Sequence, residues 1–190
     1  MKVVVIGATG TIGSSHEVIL VSHGKSAIKV DISDKVSIEK MFEATGRVDA
    51  VICAAGLAKF GPMATLSDAD FAFCLDNKLM EQVHLIRVGE DHINDNGSIT
   101  VTSGILSRKP MEGSTAISLV NAGLEGFVRA AALEAPRGIR VNAVSPNWVI
   151  DTLKAYGMDP SIGTPVEVVA QAYVQSLEGD MSGEVIEAIK

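Results

Sequence analysis

The sequence predicts an α/β fold of three layers, in which helices cover both faces of a doubly wound, mostly parallel sheet. Two observations predict it. Short apolar runs rich in β-branched residues alternate with segments of helical periodicity along the 190 residues, and a glycine-rich loop follows the first run directly. Uniformly apolar runs are typical of strands buried on both faces, and βαβ alternation builds a parallel sheet. The length fits one domain, residues 1–190.

The predicted strands are short apolar runs, as strands of a doubly covered sheet should be. They lie at 3–6, 18–21, 27–30, 51–55, 98–102 and 139–144, with a last strand beginning at 183.

Helices are predicted between most of these strands. The first begins at an N-cap, Ser33 or Asp34, and is closed by Gly46. A long helical stretch opens at Ser67 or Asp68 and runs to residue 87, and further helices are predicted at 115–133 and 165–177. The apolar side of the first helix is expected to carry Val36, Ile38, Met41 and Phe42.

Composition narrows the class of protein. The hydrophobic share of 47% is enough for a sizeable core, and a net charge of −7 without a basic run argues against nucleic acid as a partner. Cys53 and Cys74 lie in apolar stretches, which favours a reducing compartment over a disulfide framework. No apolar run approaches the roughly 20 residues that span a bilayer. We therefore expect a cytoplasmic protein without a membrane partner, and the four histidines show no metal-ligand spacing.

The glycine-rich loop indicates a phosphate site. It places Gly7, Gly10 and Gly13 in the spacing G-x-x-G-x-x-G, directly after the first strand. Such a loop turns tightly and aims backbone N–H groups at a pyrophosphate, as in Rossmann-type dinucleotide-binding folds. The alternative is a glycine-rich turn that only permits close packing. The residues expected to bind cofactor here are Gly7, Thr9, Gly10, Thr11, Ile12 and Gly13.

The chain resembles the short-chain dehydrogenase/reductase family over nearly its whole length. The loop at 7–13 resembles the cofactor loop of that family, and Cys53-Ala54-Ala55-Gly56 resembles its Asn-Asn-Ala-Gly segment. The stretch at 138–146 is similar to the one that leads to Pro-Gly in the family, with Pro146 at the proline. The resemblance implies an NAD(P)-binding Rossmann-type domain in which Ala54, Ala55, Gly56 and Pro146 contact the cofactor.

The catalytic part of the resemblance is incomplete. Asn77 stands at the helix asparagine of the family, and Thr102-Ser103-Gly104 resembles the strand end that carries the catalytic serine. The Tyr-x-x-x-Lys pair is absent, because Ile117 stands at the tyrosine position and Asn121 at the lysine position. Isoleucine donates no proton, and asparagine brings a hydrogen bond without charge. The resemblance implies Ser103, Asn77 and Asn121 as the catalytic set.

Three interpretations of this loss stay open. Another group, Tyr156 or Lys78, supplies the proton, although Tyr156 also fits an ordinary loop residue and Lys78 a solvated helix lysine. Alternatively, hydride transfer proceeds without a strong acid, at a cost of roughly 10²–10⁴-fold in rate. In the third, the protein binds nucleotide without catalysis, as a sensor or partner protein. The substrate, a small carbonyl or alcohol, is not readable from the sequence.

The residues after the second strand favour NADP over NAD. An acidic residue there usually holds the ribose 2′-OH of NAD, whereas basic and hydroxyl groups admit the 2′-phosphate of NADP. Ser22, His23 and Lys25 offer such groups, and no acid accompanies them. The alternative is an ordinary polar turn. Asp31 comes later, where the family often contacts adenine.

Two connections are unusually short. Only 14–17 separate the glycine loop from the second strand, whereas a parallel crossover needs a dozen or more residues. We expect about ten residues to be absent between Ser14 and His16, or the first helix to be lacking. Residues 22–26 link the second and third strands, either as an extended crossover or as a hairpin. The small-residue helix at 115–133 predicts a homodimer or homotetramer, because the family commonly pairs through its long helices.

Overall fold

A computed structural model describes residues 1–7, 16–24, 26–155 and 157–189 of the chain. Seven strands form one sheet in the order β3-β2-β1-β4-β5-β6-β7. Every neighbouring pair runs parallel. The strands are β1 Lys2–Ile6, β2 Glu17–Ser22, β3 Ile28–Lys29, β4 Val48–Cys53, β5 Ile93–Thr102, β6 Arg140–Pro146 and β7 Val185–Ala188.

The helices among the described residues are α1 Lys35–Thr45, α2 Asp68–Cys74, a π-helical segment Leu75–Met80, α3 Glu81–Gly89, α4 Thr115–Glu134, α5 Ile150–Ala155 and α6 Val166–Glu178. On one face of the sheet, α1, α3 and α4 bury residues against alternate side chains of the strands, such as Val4 and Ile99. On the other face, α6 packs against the intervening residues, such as Val3 and Val5. Alternation of side chains along each strand thus gives the predicted three layers.

Helix α1 shows how the sequence sets a helix boundary. Asp34 is the N-cap and accepts a hydrogen bond from the N–H of Val36 at 3.0 Å. Gly46 ends the helix at φ +67° and donates its N–H to the carbonyl of Phe42 at 2.7 Å. Ile38 and Phe42 are buried as predicted, whereas Val36 is 53% exposed, so its expected place on the apolar side is wrong.

The long helix predicted at 67–87 is continuous but contains a π-helical segment. Ser67 and Asp70 form a capping box at its start. The side chain of Asn77 donates to the carbonyl of Phe73 at 3.0 Å, and the carbonyl of Asn77 accepts from the N–H of Leu57 at 2.8 Å. A π-turn widens the helix and frees backbone groups for such contacts. The segment after β4 is thereby tied to the middle of this helix.

Several boundaries differ from the sequence prediction. The strand predicted at 51–55 lies at Val48–Cys53, and the one predicted at 98–102 begins earlier, at Ile93. The last strand begins at Val185 rather than at 183. The early parts of β4 and β5 were missed because they contain Asp49, Asn94 and Asn96, and apolar periodicity does not register polar strand positions.

β2 and β3 are parallel neighbours in the sheet. Val21 pairs with Ile28 in parallel register, so the hairpin alternative is wrong. β1 and β2 are also parallel neighbours, with Val3 opposite Val18. The expectation that about ten residues are missing falls on residues 8–15, which lie outside the described part of the chain, and it stays a prediction.

Helix α4 is long and apolar enough to cross a membrane by length and composition alone. The buried core helices of globular proteins can have the same length and apolar composition. In this fold Ala116, Val120, Leu124 and Val128 of α4 are fully buried. These residues pack α4 against the sheet and against the helix that carries Asn77.

Candidate functional site

The described residues form two cavities at the carboxyl ends of the strands. The β1 cavity, of about 380 Å³, lies at the ends of β1 and β2 and includes Gly7, Asp31, Ala55 and Glu81 in its wall. The β5 cavity, of about 210 Å³, lies at the ends of β5 and β6. Ligands of open α/β sheets bind at this edge, where the strand order reverses.

Bare backbone forms the floor of the β1 cavity. Gly7 has φ +80°, and a Cβ added to it would lie 2.8 Å from the Cβ of Ala55 and 2.9 Å from its N. Only glycine permits this approach between the ends of β1 and β4. Ala54 donates its N–H to the carbonyl of Ile6 at 2.8 Å and holds the two segments together. The other loop residues expected to bind cofactor, namely Thr9, Gly10, Thr11, Ile12 and Gly13, lie outside the described residues.

Polar groups close the far end of the β1 cavity. Ser33 donates its N–H and its hydroxyl to Oδ1 of Asp31, at 3.0 and 2.6 Å, and these bonds hold the pKa of Asp31 below its usual value. Nε2 of His23 lies 3.9 Å from Oδ2 of Asp31. Ser22 lines the same wall, and its N–H donates to the hydroxyl of Ser26 at 2.6 Å. Lys25 lies outside the described residues.

The β5 cavity brings together most of the predicted catalytic set. Ser103, Asn121 and Ile117 all line it, together with Pro146. Asn77 does not, because it lies in the wall of the β1 cavity and its side chain is bonded within its own helix. Ile105, Leu106, Trp148 and Val149 make the rest of the wall largely apolar.

The hydroxyl of Ser103 is engaged away from the cavity. It donates to Oε1 of Glu125 at 2.7 Å. The same oxygen accepts from the hydroxyl of Ser107 at 2.6 Å and from Nη1 of Arg108 at 3.1 Å. A serine has one hydroxyl proton, so Ser103 in this arrangement offers the cavity only acceptor lone pairs.

Asn121 leaves an acceptor without a partner. The residue is 2% exposed, and its Oδ1 has no hydrogen-bond partner among the described residues. Gly104 allows Asn121 to approach, since a Cβ on Gly104 would lie 2.9 Å from Nδ2. A buried unsatisfied acceptor costs about 1–3 kcal/mol. Its place in the cavity wall fits a ligand that brings a donor, such as a hydroxyl group.

Lys78 is a cavity residue, so its interpretation as a solvated helix lysine is wrong. It is 8% exposed and lines the β5 cavity, and its Nζ donates to the carbonyl of Thr102 at 3.0 Å. Burial lowers the pKa of this lysine. The π-helical segment turns residue 78 inward, where a regular helical periodicity does not predict it.

Glu81, like Lys78, lies close to Gly56. Gly56 has φ +136°, and a Cβ on it would lie 3.2 Å from Oε1 of Glu81 and 3.4 Å from Nζ of Lys78. Oε1 has no hydrogen-bond partner in the described structure. Burial raises the pKa of Glu81 to about 7, although Lys78 opposes the rise. Glu81 was not among the site residues predicted from the sequence. Its spacing of three residues from Lys78, which makes the two neighbours on a helix, was the signal that could have indicated it.

Two further groups near the site are inert. Cys53 is fully buried and its thiol is free, and burial raises the pKa of this thiol to about 12. The hydroxyl of Tyr173 is bonded to that of Thr102, and burial raises its pKa as well. Neither group ionises near neutral pH. Tyr156, one of the donors considered above, lies outside the described residues.

A model of the family described as enoyl-(acyl carrier protein) reductase matches residues 1–177. The chain belongs to the short-chain dehydrogenase/reductase family. The resemblance drawn from the sequence is confirmed, and so is the Rossmann-type α/β fold. The loss of the Tyr-x-x-x-Lys pair stays an interpretation of the sequence alone.

Relatives within the family differ in length from this member. Acetoacetyl-CoA reductase of Cupriavidus necator is 31% identical over 131 residues, which are 67% of this chain and 53% of that protein. The chain spans about half the length of the curated relatives it matches. The crystal structure of protein lin1944 from Listeria innocua is 36% identical, with a TM-score of 0.91 over 98% of both chains. A small-chain dehydrogenase in complex with NADPH is 27% identical, with a TM-score of 0.85 over 98% of this chain and 95% of that one.

The residues of this family member fit a dinucleotide. Short-chain dehydrogenases bind NAD(P), and three local features match that ligand. The floor at Gly7 admits a group pressed against backbone, and a side chain there would fill it. Asp31 lies at the far end of the β1 cavity, and the unpartnered Oδ1 of Asn121 lies in the β5 cavity.

Proposed function

We propose that the protein is an NADP-dependent oxidoreductase of a small carbonyl or alcohol substrate. One observation carries the proposal. The β1 and β5 cavities lie on the two sides of the contact between Gly56 and Lys78, where a Cβ on Gly56 would be 2.8 Å from Cδ of the lysine. An elongated ligand that lies over Gly56 would occupy both cavities, one with each half.

The proposal assigns the two halves of the dinucleotide by chemistry. Asp31 with Ser22 and His23 would hold the adenosine half, and Gly7 with Ala55 would lie beneath the pyrophosphate. Gly56, Asn121 and Pro146 would contact the nicotinamide half. Ala54 supports Ala55 from the sheet through its bond to Ile6. The loop residues Thr9, Gly10, Thr11, Ile12 and Gly13 keep the pyrophosphate role that the sequence predicts.

When bound, the nicotinamide supplies or accepts a hydride. The chain itself provides the walls of the reaction space. Ile105, Ile117 and Trp148 give the β5 cavity apolar walls, next to which electrostatic interactions are stronger than in bulk water. Trp148 is held edge to face against Phe60, with ring centroids 6.1 Å apart. These apolar groups favour a substrate whose carbonyl carries hydrocarbon substituents.

NADP is preferred to NAD in this proposal. The segment after β2 carries His23 and Lys25 and no acidic residue. A basic or hydroxyl group at this point admits a ribose 2′-phosphate, whereas an acid would repel it. Ser22 lines the same end of the β1 cavity.

A second candidate is a non-catalytic NADP-binding sensor or partner protein. It is favoured by Ile117, which stands at the tyrosine position and lines the β5 cavity, and by Ser103, whose proton goes to Glu125. A screen of aliphatic and aromatic carbonyls with NADPH discriminates the two. Turnover in the wild-type protein supports the oxidoreductase, and NADPH binding without oxidation of NADPH by any carbonyl supports the sensor.

The setting of the protein is also proposed. We expect one NAD(P)-binding domain over residues 1–190, in the cytoplasm, with no nucleic acid or membrane partner. Helix α4 exposes Leu119 and Leu133, the latter 89% accessible, and these fit a self-association surface in a homodimer or homotetramer. Light scattering of the wild-type protein and of Leu133→Lys tests this, because a charge on the surface should dissociate the assembly.

A further inference from the structure

We propose that Lys78 donates the proton to the substrate oxygen, and that Glu81 returns a proton to Lys78 from the side of the β1 cavity. This inference rests on the proposed oxidoreductase function. It replaces the absent tyrosine with the residue that follows Asn77 in the π-helical segment.

The residues that line the β5 cavity offer few proton donors. Among its lining residues Lys78 alone titrates as an acid or base. The hydroxyl of Ser103 gives its proton to Glu125. The hydroxyl of Thr102 is engaged with the carbonyl of Cys53 and the hydroxyl of Tyr173. Amides such as Asn121 and aliphatic hydroxyls such as that of Thr152 do not act as acids near neutral pH. Lys78 is therefore the group whose proton is available.

Nζ of Lys78 spends one of its donors on the carbonyl of Thr102, the residue before Ser103. Gln82 donates to the same carbonyl at 3.1 Å and fixes it from the other side. An ammonium group has three donors. The remaining donors belong to a residue that lines the β5 cavity.

Lys78 must regain the proton that it gives to the substrate, and Glu81 is placed to supply it. Glu81 lines the β1 cavity, whereas Lys78 lines the β5 cavity. Gly56 lies between them, and because it has no side chain both charged groups come within 3.4 Å of the position its Cβ would take. The unpartnered Oε1 of Glu81 is the carboxyl oxygen at this point. Glu81 and Lys78 form no ion pair with each other in the described structure, so a bridging water beside Gly56 would carry the proton from the larger cavity to the smaller one.

Burial and neighbouring titratable groups shift the pKa values of Lys78 and Glu81. Cys53 of β4 acts on Lys78, Asp31 before α1 acts on Glu81, and Tyr173 of α6 acts on Cys53. Cys53 and Tyr173 are buried and neutral near pH 7 because their pKa values are raised. Burial raises the pKa of Glu81, with Lys78 opposing and Asp31 adding to the rise, while burial lowers the pKa of Lys78. The two pKa values therefore move toward each other, and a proton passes between such groups at low cost.

The reaction balances as follows in the direction of reduction. NADPH, when bound, would supply the hydride that forms a C–H bond at the carbonyl carbon, and the π electrons of C=O would move to oxygen. That oxygen takes a proton from Nζ of Lys78, which becomes a neutral amine, and the product is an alcohol. The carboxylic acid of Glu81 then protonates the amine through a bridging water, and its carboxylate recovers a proton from solvent. Alcohol oxidation runs the same transfers in reverse.

The test compares Lys78→Met, Lys78→Arg and Glu81→Gln with the control Lys59→Met. Lys59 is an exposed lysine paired with Asp70 outside both cavities. Methionine fills the space of the lysine stem without its charge, and arginine keeps the charge but does not release a proton near neutral pH. Thermal unfolding and NADPH titration of each variant first establish that it folds and binds.

Two readouts then bear on the donor. The first is kcat against pH, with the carbonyl that the wild-type protein turns over fastest. We expect kcat to fall roughly 10²–10⁴-fold in both Lys78 variants, with NADPH affinity largely kept. In Glu81→Gln we expect a smaller loss and the disappearance of the kcat inflection near pH 7. The second readout needs no turnover: acetylation of Lys78 against pH, followed by mass spectrometry, should titrate at lower pH than that of Lys59.

The outcomes separate this inference from the proposed function. Wild-type protein that binds no NADPH, or that binds it and reduces no carbonyl, overturns the proposed function and the donor together. Turnover that survives in Lys78→Met, within about threefold of wild type, overturns the donor alone. Acetylation of Lys78 that follows the same pH curve as Lys59 also overturns it.

Discussion

Ser103 donates its hydroxyl proton to Oε1 of Glu125 at 2.7 Å, and this bond directs the proton away from the β5 cavity. The resemblance implies a serine that serves the substrate, whereas the structure gives it a buried carboxylate as partner. The carboxylate of Glu125 also accepts hydrogen bonds from Ser107 and Arg108. The role of Ser103 is thus first to support the cavity wall, and a catalytic part for it stays a prediction.

The first prediction concerns this carboxylate. Glu125→Gln should lower the free energy of unfolding by about 2–3 kcal/mol, because the bonds from Ser103 and Arg108 lose their charged acceptor. Urea unfolding measures it. The control is Glu134→Gln, at the exposed end of the same helix, which should change the stability by less than about 0.5 kcal/mol. Equal losses in the two variants would contradict a special role for Glu125.

The second prediction concerns the floor of the β1 cavity. Gly7→Ala should destabilise the fold by about 1–3 kcal/mol, since Gly7 has φ +80° and its new Cβ would clash with Ala55. It should also weaken NADPH binding by displacing the floor. The matched control is Gly126→Ala on the exposed side of α4, where nothing lies within 4 Å, and there alanine should be neutral or stabilising. A stable, normally binding Gly7→Ala would refute the tight approach.

The third prediction is a pH dependence of stability. Burial raises the pKa of Glu81 from its ordinary value of 4.5 to about 7, so its contribution to stability is full below pH 4.5 and is lost as pH rises through 7. Relative to Glu81→Gln, the wild-type protein should therefore lose about 1–3 kcal/mol over this range. Unfolding curves at several pH values measure the difference, and exposed Glu39→Gln is the control. Parallel profiles for wild type and Glu81→Gln would show that the carboxyl titrates normally.

The fourth prediction concerns the choice of nucleotide, and it rests on the sequence because Lys25 lies outside the described residues. Lys25→Glu should weaken NADPH binding by about 1.5–3 kcal/mol, the range of a charge-assisted contact, and leave NADH binding nearly unchanged. Lys29→Glu, on exposed β3, is the control for a general charge effect. If both nucleotides weakened equally, Lys25 would not read the 2′-phosphate.

The fold was predictable because its signals are local. Continuous apolar runs such as the one at Val3–Ile6 identify strands buried on both faces, and Asp34 and Gly46 fix a helix at both ends. The direction of the short link between β2 and β3 was not predictable. It depends on which neighbour β3 pairs with, and that is a tertiary choice.

The candidate site was predictable only where a motif carries it. Ser103, Ile117 and Asn121 lie at recognisable positions, and the fold brings them to one cavity. Lys78 and Glu81 carry no motif, and a charged pair on a helix is usually solvated. Their burial follows from the π-helical segment and from the missing side chain of Gly56, both of which are visible only in three dimensions.

The most direct test of the central claim is a calorimetric titration of the folded wild-type protein with NADPH and with NADH. The account predicts saturable binding of one dinucleotide per chain, with NADPH tighter than NADH. It also predicts that Gly56→Val weakens both, because the new side chain would push against Lys78 and Glu81 between the two cavities. Absence of binding of either nucleotide to the folded protein would contradict the account.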